Sequence, residues 1–535
     1  MNASSSKRHQ SSAYLIVQEL DLTLVNKKLQ FSNEAPYLPD LSSIHGFNPE
    51  RYPFLLESVA KSTSIPGSDA NLGQFDILFA YPQHVHILEN VNMAEMFVQS
   101  LQTEFAESKV DNIVLQNTAG EWLPQLELPF KGGWFVYFSY DYAQVVEPVL
   151  KLPKNKFPLA HIARMPAAII NDHQNNRTWL IAEKGHENLL SDMQGDIQNC
   201  VLIEARDSKL VSASPSDLVN PLNVLSESLE NKTVKSISAT EEPPQQYLDG
   251  VEAIKEYILA GDVFQVNLSR NWKIELSSET SYLSVYHALR QSNPAPFAVL
   301  ANFIDSNHPH HQWQLMSSSP ERLVKYQYPW VETRPIAGTR KRGSNPETDK
   351  ALVEELIKHP KERAEHIMLI DLERNDLGRI CQPGTVEVND LMVVETYEHV
   401  HHIVSNVRGK LRDGFSPLDI VHALFPGGTI TGCPKIRCMQ IVAELEQAPR
   451  EAYTGSLGYI NLDGSLDLNI LIRTMIQYQD NHTAAGDHEN SAKKFVEFRA
   501  GAGIVADSQA DFELVETRHK AKGLLRAFTQ AEGGK

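Results

Sequence analysis

Two pairs of glutamates in the last third of the chain have the spacing of a metal site. Glu362 and Glu365 form the first pair, and Glu513 and Glu516 form the second. Residues three apart in a helical segment lie on one face, so both carboxylates of a pair can reach one cation. Carboxylates without nearby His or Cys favour a hard ion, and Mg²⁺ combines one or two of them with water and substrate oxygens. The spacing therefore predicts a Mg²⁺ site that an anionic ligand completes.

The surrounding sequence distinguishes this prediction from a solvated helix face, where the same spacing is common. The first pair leads into an apolar run at residues 366–372 and then a dense polar turn that ends at Arg379. The second pair follows a stretch in which Gly501 and Gly503 allow backbone N–H groups to approach an anion closely. Both contexts favour a ligand site.

Composition and charge narrow the class of protein. The 535 residues are 42% hydrophobic, enough for a large core in one large domain or several ordinary ones. The net charge of -18, from 49 basic and 67 acidic residues, argues against nucleic acid or an anionic membrane as a partner. The four cysteines contain no CxxC pair, which suits a reducing compartment and predicts no zinc site.

Targeting and membrane signals are weak. No apolar run approaches the roughly 20 residues that a membrane span needs. The apolar segment Ala13–Val17 is too short for the core of a signal peptide. We therefore expect a cytoplasmic protein. The run His308-Pro-His-His311 is interpreted as a polar loop between two strands rather than as a metal cluster.

A polar, aperiodic stretch at residues 207–246 divides the chain. It predicts an N-terminal region at 14–206, a linker or surface excursion at 207–246 and a motif-rich region at 247–528. A helix is predicted over Tyr247–Ala260, and a polar insertion at 480–494 predicts a hairpin tip. Strands without regular βαβ alternation predict an α+β fold. They are expected at Phe75–Ala80, Trp134–Phe138, Thr178–Ala182, Val263–Leu268, Leu323–Tyr328, Thr385–Val388 and Gly458–Leu462.

Six motifs of the second half, in this order, resemble the chorismate-utilising enzymes. That family includes anthranilate synthase component I, aminodeoxychorismate synthase component I, isochorismate synthase and salicylate synthase. The resemblance extends from about Pro243 to Phe528 and implies two antiparallel sheets packed face to face with helices outside, to which the N-terminal region also contributes. The motifs are residues 261–270, 319–322, 334–340, 374–379, 425–435 and 501–503.

The resemblance assigns roles to the acidic pairs. It implies that Glu365 and Glu516 bind Mg²⁺ directly, and that Glu362 and Glu513 reach it directly or through water. The ion would hold the ring carboxylate of chorismate and help to polarise the ring toward loss of its hydroxyl.

The resemblance also implies a set of substrate-binding and catalytic residues. Glu321 matches the acid that protonates the leaving hydroxyl, a task that needs a raised pKa. His402 and Thr429 match residues that face the ring and its departing group, although a buried histidine can also be purely structural. The groups expected to hold the two carboxylates of chorismate are Tyr453, Arg473, Lys520 and the backbone of Gly501, Ala502 and Gly503.

The residue at position 265 points to the nucleophile. Family members that add water usually carry a lysine there as general base, whereas this chain has Gln265. Ammonia is therefore the expected nucleophile. No cysteine has the context of a glutaminase nucleophile, so the resemblance implies a separate glutamine amidotransferase subunit.

Local sequence favours the aminodeoxychorismate synthase branch over the anthranilate branch. Residues 453–459 and 467–470 resemble the former more closely. The segment with Glu57 and Ser58 resembles the tryptophan-feedback pocket of anthranilate synthase. The Asn293–Phe297 segment, however, lacks the aromatic-methionine ending usual in that pocket, so we do not expect feedback inhibition.

One residue departs from the favoured branch. Many aminodeoxychorismate synthases carry a lysine at the position of Ala337, where its amine attacks ring carbon 2 before ammonia enters at carbon 4. Alanine cannot form that adduct, which favours anthranilate synthase component I as the alternative. Either ammonia reaches carbon 4 directly, or another amine such as Lys341 substitutes. A non-catalytic chorismate-binding relative is a third hypothesis, disfavoured because every predicted catalytic residue is present.

Overall fold

The structure is a computed structural model that describes residues 12–21, 38–59, 73–207, 234–304, 312–397, 400–480 and 493–528. The histidine run at 308–311, most of the stretch predicted as a linker and the tip of the 480–494 insertion lie outside the described residues. Within these ranges no helix is long and apolar enough to cross a bilayer.

The described residues form 23 strands, numbered in chain order. The first twelve are β1 (Ser12–Glu19), β2 (Phe54–Glu57), β3 (Phe75–Ala80), β4 (Val85–Leu88), β5 (Asn112–Asn117), β6 (Gly133–Phe138), β7 (Ala160–Met165), β8 (Ala167–Asp172), β9 (Arg177–Glu183), β10 (Ser236–Glu241), β11 (Gln265–Leu276) and β12 (Phe297–Phe303). The others are β13 (Trp313–Ser319), β14 (Arg322–Gln327), β15 (Trp330–Thr333), β16 (Ile336–Lys341), β17 (Glu387–Thr396), β18 (Val400–Lys410), β19 (Gly432–Cys433), β20 (Ser456–Asn461), β21 (Leu466–Ile470), β22 (Thr474–Asp480) and β23 (Lys493–Ile504).

Eleven α-helices accompany them in the same ranges. They are α1 (Leu41–Phe47), α2 (Ala94–Ser108), α3 (Ala143–Val146), α4 (Asn188–Asp207), α5 (Pro244–Leu259), α6 (Tyr282–Ser292), α7 (Pro346–Lys358), α8 (Pro360–Gly378), α9 (Pro417–Leu424), α10 (Lys435–Glu446) and α11 (Ala510–Leu525). Pro at the first turn begins α5, α7, α8 and α9, where its missing N–H would have had no helical partner.

The strands form two sheets of 13 and 10 strands. The larger has the order β10-β11-β23-β22-β13-β12-β2-β3-β8-β9-β1-β5, with β19 beside β11. The smaller has the order β16-β18-β15-β14-β21-β20-β6-β7-β4, with β17 beside β18. Every pair is antiparallel except β1 with β5. The α+β prediction and the two-sheet architecture implied by the resemblance are confirmed.

The two halves of the chain share both sheets. In the larger sheet β2 pairs with β12, and in the smaller sheet β6 pairs with β20. Strand β10 lies within the stretch predicted as a linker and pairs with β11. The proposed domain boundaries remain a prediction, but the N-terminal strands belong to the same sheets that carry the motifs.

Strand β6 illustrates how the core is built. Phe135 and Tyr137 face the other sheet, where Phe135 stacks on Phe54 of β2 with ring centroids 3.7 Å apart. Trp134, Val136 and Phe138 belong to a second apolar cluster on the outer face. A strand covered on both faces needs apolar residues at every position, which explains its continuous hydrophobic run.

Gly133 at the start of β6 lies against the neighbouring strand. It has φ +134°, and a Cβ there would lie 2.1 Å from the Ile460 carbonyl oxygen. Gly185 also has positive φ, +98°, but its Cβ would meet no described atom within 4 Å. We expect Gly185→Ala to cost about 1–2 kcal/mol of unfolding free energy from backbone strain alone. Gly133→Ala should cost more than about 3 kcal/mol, because backbone atoms must move.

Urea denaturation followed by far-UV circular dichroism compares the two variants. Equal losses of stability would contradict the close approach of β6 to β20.

Candidate active site

The chain crosses between the sheets twice at one place, and each crossing carries a predicted site residue. Glu321 lies between β13 of the larger sheet and β14 of the smaller one, and Arg473 lies between β21 and β22. The Ser318 N–H donates to the Arg473 carbonyl at 3.1 Å, which ties the crossings together. Arg473 has φ +52°, a conformation that non-glycine residues seldom adopt and that clusters at functional sites. Both side chains are thus fixed at one edge of the interface between the sheets.

Glu321 is a buried acid. Burial raises the pKa of its carboxyl to about 7, while the nearby Thr429 hydroxyl, the Ile336 N–H and Lys520 partly oppose that shift. Glu321 as a whole is 6% exposed to solvent. A carboxyl that still holds its proton near pH 7 can serve as a general acid. The raised pKa that its predicted role requires is therefore present.

His402 is buried and held close to Arg473. Burial lowers the pKa of its imidazole to about 4, and the positive charge of Arg473 lowers it further. Its Nδ1 lies 2.9 Å from the Thr339 hydroxyl, on the strand next to β18. His402 is consequently neutral near pH 7. A neutral imidazole can accept or donate a hydrogen bond, and because it has no positive charge it does not compete with Arg473 for an anionic group.

Strands β11 and β23 supply a backbone surface without side chains. Gly501 pairs with Ser269, and Gly503 pairs with Asn267. A Cβ at Gly501 would lie 2.6 Å from the Leu268 carbonyl oxygen and 2.7 Å from the Tyr453 hydroxyl. Glycine is therefore required where these strands approach Tyr453. Ala502 between them is fully buried.

The four glutamates lie on two helices, as the spacing predicts. Glu362 and Glu365 are on α8, and Glu513 and Glu516 are on α11. Burial raises the pKa of Glu365, and the charges of Glu362 and Glu516 raise it further. The Gln265 amide donates to Glu365 at 3.4 Å. These contacts bring both helices and β11 to one site.

Each of the other glutamates also has a partner. Glu362 pairs with Arg340 at 3.1 Å, Glu516 pairs with Lys520 at 2.8 Å, and the Ser508 hydroxyl donates to Glu513 at 2.6 Å. Within the described ranges no three of the four bring carboxylate oxygens within 4.8 Å of one another.

The donor set nevertheless fits Mg²⁺. The ion needs only one or two protein carboxylates and takes its remaining oxygens from water and substrate. Burial is the main cause of the raised pKa of Glu365, and the negative charges of Glu362 and Glu516 add to it. A divalent cation would relieve that repulsion.

Lys520 connects the acidic helices to the glycine strands. Its ammonium group donates to the Gly501 carbonyl at 2.9 Å while it pairs with Glu516. Its charge also lowers the pKa of both Glu321 and Glu365. The predicted acid, the predicted metal ligands and the glycine strands therefore surround one lysine.

Several buried polar atoms of this site could bind a polar ligand. Among the described residues, four side-chain atoms around this site are buried without a regular hydrogen bond, although buried polar groups normally have one. A bound polar molecule would satisfy them. They are Gln265 Oε1, Asn267 Oδ1, Glu321 Oε1 and Thr429 Oγ1.

Three functional candidates escaped prediction from the sequence. Asn267 and Thr339 lie within motifs, but nothing in their type marked them as site residues. Glu373 is buried, and burial together with the charge of Asp376 raises the pKa of its carboxyl to about 8. The charge of Glu321 also raises the pKa of Glu373. Its position directly before the motif at 374–379 was the available signal.

Glu57 and Ser58 line a separate cavity of about 420 Å³ between the sheets. The Ser58 hydroxyl donates to the Pro296 carbonyl at 3.0 Å. Burial raises the pKa of Glu57 to about 7, although Arg290 opposes the shift. Tyr286 donates a hydrogen bond to its carboxylate. The two residues of the predicted regulatory pocket thus lie at one cavity, and its regulatory role stays a prediction.

Comparison with known proteins agrees with this geometry. The family described as chorismate binding enzyme matches residues 58–526. An anthranilate synthase component I-like protein of Synechocystis is 40% identical over 75% of this chain and 73% of its own length. Aminodeoxychorismate synthase component 1 of Bacillus subtilis is also 40% identical, over 75% of this chain and 78% of its own length. The crystal structure of anthranilate synthase component I from Streptococcus pneumoniae superposes with a TM-score of 0.61 at 28% sequence identity. The match covers 86% of this chain and 93% of that protein.

The chain belongs to the chorismate-utilising enzymes. The family prediction from the motifs is confirmed. Relatives of equal similarity carry the names of two different synthases, so the family is established while the particular product is not.

Proposed function

We propose that the chain converts chorismate and ammonia to 4-amino-4-deoxychorismate, as aminodeoxychorismate synthase component I does. The proposal rests on one observation above all. Glu321, whose pKa burial raises to about 7, lies near Lys520, and the position expected of a water-activating lysine holds Gln265 instead. The Bacillus subtilis relative and the sequences at 453–459 and 467–470 favour amination at carbon 4.

Arg473 is suited to hold one carboxylate of the substrate. Burial lowers the pKa of its guanidinium, which signals incomplete neutralisation by its surroundings. Burial is the only cause of that shift, and no acidic residue in the described part of the chain opposes it. A guanidinium can bind a carboxylate through two parallel hydrogen bonds. Lys520 and the Tyr453 hydroxyl beside Gly501 would hold the second carboxylate.

Glu321 would then act as the general acid. Its proton passes to the hydroxyl that leaves ring carbon 4 as water, while the nitrogen of ammonia bonds to that carbon and then loses one proton. Thr429 stands beside the carboxyl and can orient it or the leaving group. Neutral His402 faces the ring without adding a second positive charge next to Arg473.

Glu362, Glu365, Glu513 and Glu516 would hold Mg²⁺. When bound, the ion supplies positive charge to the ring carboxylate of chorismate and favours loss of the hydroxyl. The Gln265 amide, already bonded to Glu365, orients that carboxylate. The pairing of Lys520 with Glu516 positions its ammonium group.

The cysteines support an external ammonia source. Cys200, Cys381 and Cys438 are buried, and burial raises the thiol pKa of Cys381 to about 11 and of Cys438 to about 12. Burial also raises the pKa of Cys433. A glutaminase nucleophile needs the opposite shift. A separate glutamine amidotransferase subunit is therefore the proposed partner.

Ala337 favours the second candidate, anthranilate synthase component I. The residue is buried on β16 beside Ile336, whose N–H meets the Glu321 carboxyl. Lys341 is exposed four residues further along the strand, about 13 Å away at 3.3 Å per residue. A lysine side chain does not span that distance, which argues against Lys341 as a substitute. We therefore favour direct attack by ammonia for either product.

Substituting Ala337 with lysine tests whether this position faces the ring. We expect Ala337→Lys, incubated with chorismate and Mg²⁺ without ammonium, to gain the mass of chorismate less one water. The lysine amine would bond to carbon 2 while the carbon 4 hydroxyl leaves with the proton of Glu321. Ala337→Met adds similar bulk without an amine and should gain no mass. Absence of an adduct on the folded lysine variant would contradict the placement.

Isotope labelling tests the nucleophile. The purified chain, given chorismate, Mg²⁺ and ¹⁵N-ammonium in ¹⁸O-water, should form a product with one ¹⁵N and no ¹⁸O. A hydroxylated product that carries ¹⁸O would overturn amination and move the chain to the water-adding enzymes.

A further inference from the structure

We propose that His84, His86 and Glu104 form a binding site for one divalent transition-metal ion, of the type that Zn²⁺ and Co²⁺ prefer. In the described part of the chain, this is the one group of three His, Cys, Asp or Glu whose ligand atoms all lie within 4.8 Å of one another. None of the three takes part in the chorismate site.

The geometry brings the three side chains together from two elements. His86 on β4 and His84 just before it are two residues apart, so both side chains project from one side of the extended chain. Glu104 lies across from them on α2. The Nε2 atoms of His84 and His86 lie 2.7 Å and 2.6 Å from the two separate oxygens of that carboxylate.

The carboxylate is fixed before any ion arrives. The Trp134 indole N–H donates to Glu104 Oε1 at 2.6 Å. The Glu104 side chain is 17% exposed and the His84 side chain is 56% exposed. The carboxylate is therefore largely buried, while the His84 imidazole is open to solvent. An outer hydrogen bond to a ligand carboxylate is a regular feature of metal sites.

The donor types select the class of ion. Two imidazoles and one carboxylate leave a fourth tetrahedral position for water, as in His₂Glu zinc sites. Magnesium prefers oxygen ligands alone and would compete poorly. The expectation of no zinc site from the sequence rested on cysteines, whereas this site uses imidazoles.

Metal binding requires a small rearrangement. Ligand bonds of about 2.0–2.1 Å in a tetrahedral site separate neighbouring ligand atoms by about 3.3 Å. The nitrogen and oxygen atoms must therefore move apart by somewhat more than half an ångström, and any proton on Nε2 must move to Nδ1 or to solvent before that nitrogen can bind the ion. Both helix α2 and strand β4 end in solvent-exposed turns, which leaves room for that change.

The site is remote from the chorismate pocket. Strand β4 lies at one edge of the smaller sheet, while β16, which carries Ala337, lies at the other edge. Eight strand spacings of about 4.8 Å separate them along the sheet. The ion would clamp α2 to the edge strand, a structural role independent of turnover.

Full-length, tag-free protein tests the proposal. Side chains elsewhere in the chain that could also bind the added metal are removed first, by Glu365→Gln, His308→Gln, His310→Gln and His311→Gln. This background protein is titrated with Zn²⁺ and Co²⁺ in excess Mg²⁺, and bound metal is measured by calorimetry, mass spectrometry and the Co²⁺ absorption spectrum. His84→Gln, His86→Gln and Glu104→Gln are compared with His186→Gln, a nearby histidine outside the group.

We expect one ion per chain, a tetrahedral Co²⁺ spectrum and a higher thermal midpoint on metal addition. Each of the three ligand variants should weaken binding at least about 100-fold, beyond what loss of an outer-shell partner costs. His186→Gln should bind as the background protein does. Unchanged affinity in His84→Gln, whose exposed side chain can be replaced without unfolding, would overturn the proposal. So would failure of the folded background protein to retain Zn²⁺.

Discussion

Replacing Glu321 with glutamine should reduce kcat by about 100- to 10,000-fold, the usual contribution of a general acid. The substitution keeps the size of the buried side chain but removes the proton that the leaving hydroxyl needs. Chorismate binding should persist, because Arg473 and Lys520 are unchanged. Steady-state kinetics and calorimetric titration with chorismate separate the two effects.

The wild-type pH profile follows from the same group. Burial raises the pKa of Glu321 from 4.5 to about 7, so its acidic form predominates below pH 7 and is lost above it. We expect kcat/KM to begin to fall near pH 7 and to decrease tenfold per pH unit at higher pH. This carboxyl has a higher pKa in the folded state than in the unfolded state. Its ionisation therefore lowers the free energy of unfolding as pH rises from 4.5 to about 7. Glu321→Gln should remove that loss.

Glu57 provides the matched control. Burial raises the pKa of its carboxyl to about 7 as well, but it lines the other cavity. Glu57→Gln should therefore retain activity, and its kcat/KM should still decline above pH 7. Activity that survives in Glu321→Gln and disappears in Glu57→Gln would reverse the assignment of the acid.

Glu365→Gln should have the second large effect, on the requirement for magnesium. Burial raises its pKa and the charges of Glu362 and Glu516 raise it further, so a bound cation would stabilise its ionised form. A Lewis-acid contribution of several kcal/mol corresponds to a loss of at least about 100-fold in kcat/KM. The Mg²⁺ concentration for half-maximal activity should also rise.

An exposed glutamate separates this effect from a general change in charge. Glu354 on the neighbouring helix pairs only with Lys358, at 3.4 Å, in the contacts described. Glu354→Gln should leave the magnesium dependence unchanged. Direct Mg²⁺ titration by calorimetry, without substrate, provides the second readout. A Glu365→Gln protein with wild-type magnesium dependence would contradict the proposed ligand set.

Local features of the site could be predicted from the sequence. The i,i+3 spacing of the glutamates placed each pair on one helix, and both helices are found at those residues. The alternating pattern after Gly261 predicted a strand at Val263–Leu268, which overlaps the start of β11, and the Gly501–Gly503 stretch runs beside that strand. These predictions depend on neighbours a few residues apart, for which spacing alone fixes the geometry.

The pairing of distant elements could not be predicted in this way. The contact of Gln265 with Glu365 joins residues 100 positions apart, and it depends on the order of strands and helices. Family resemblance supplied the sheet architecture, which periodicity alone did not. The His84–Glu104 contact is likewise invisible until β4 and α2 are placed together.

Strand β17 shows a local prediction that was incomplete. The pattern predicted a strand at Thr385–Val388, whereas β17 extends over Glu387–Thr396. Asn389 and Asp390 break the apolar pattern and resemble a turn. The register shifts at Asp390, and Met392 has φ +52°, so bulges let the strand continue past the polar residues.

Product identification after incubation of the purified chain with chorismate, Mg²⁺ and ammonium tests the central claim most directly. Chromatography and mass spectrometry are performed with and without added aminodeoxychorismate lyase. The proposed function predicts p-aminobenzoate only when the lyase is present, which would mean that ammonia enters at carbon 4 despite Ala337. Anthranilate formed without the lyase would contradict it and assign the chain to the other branch.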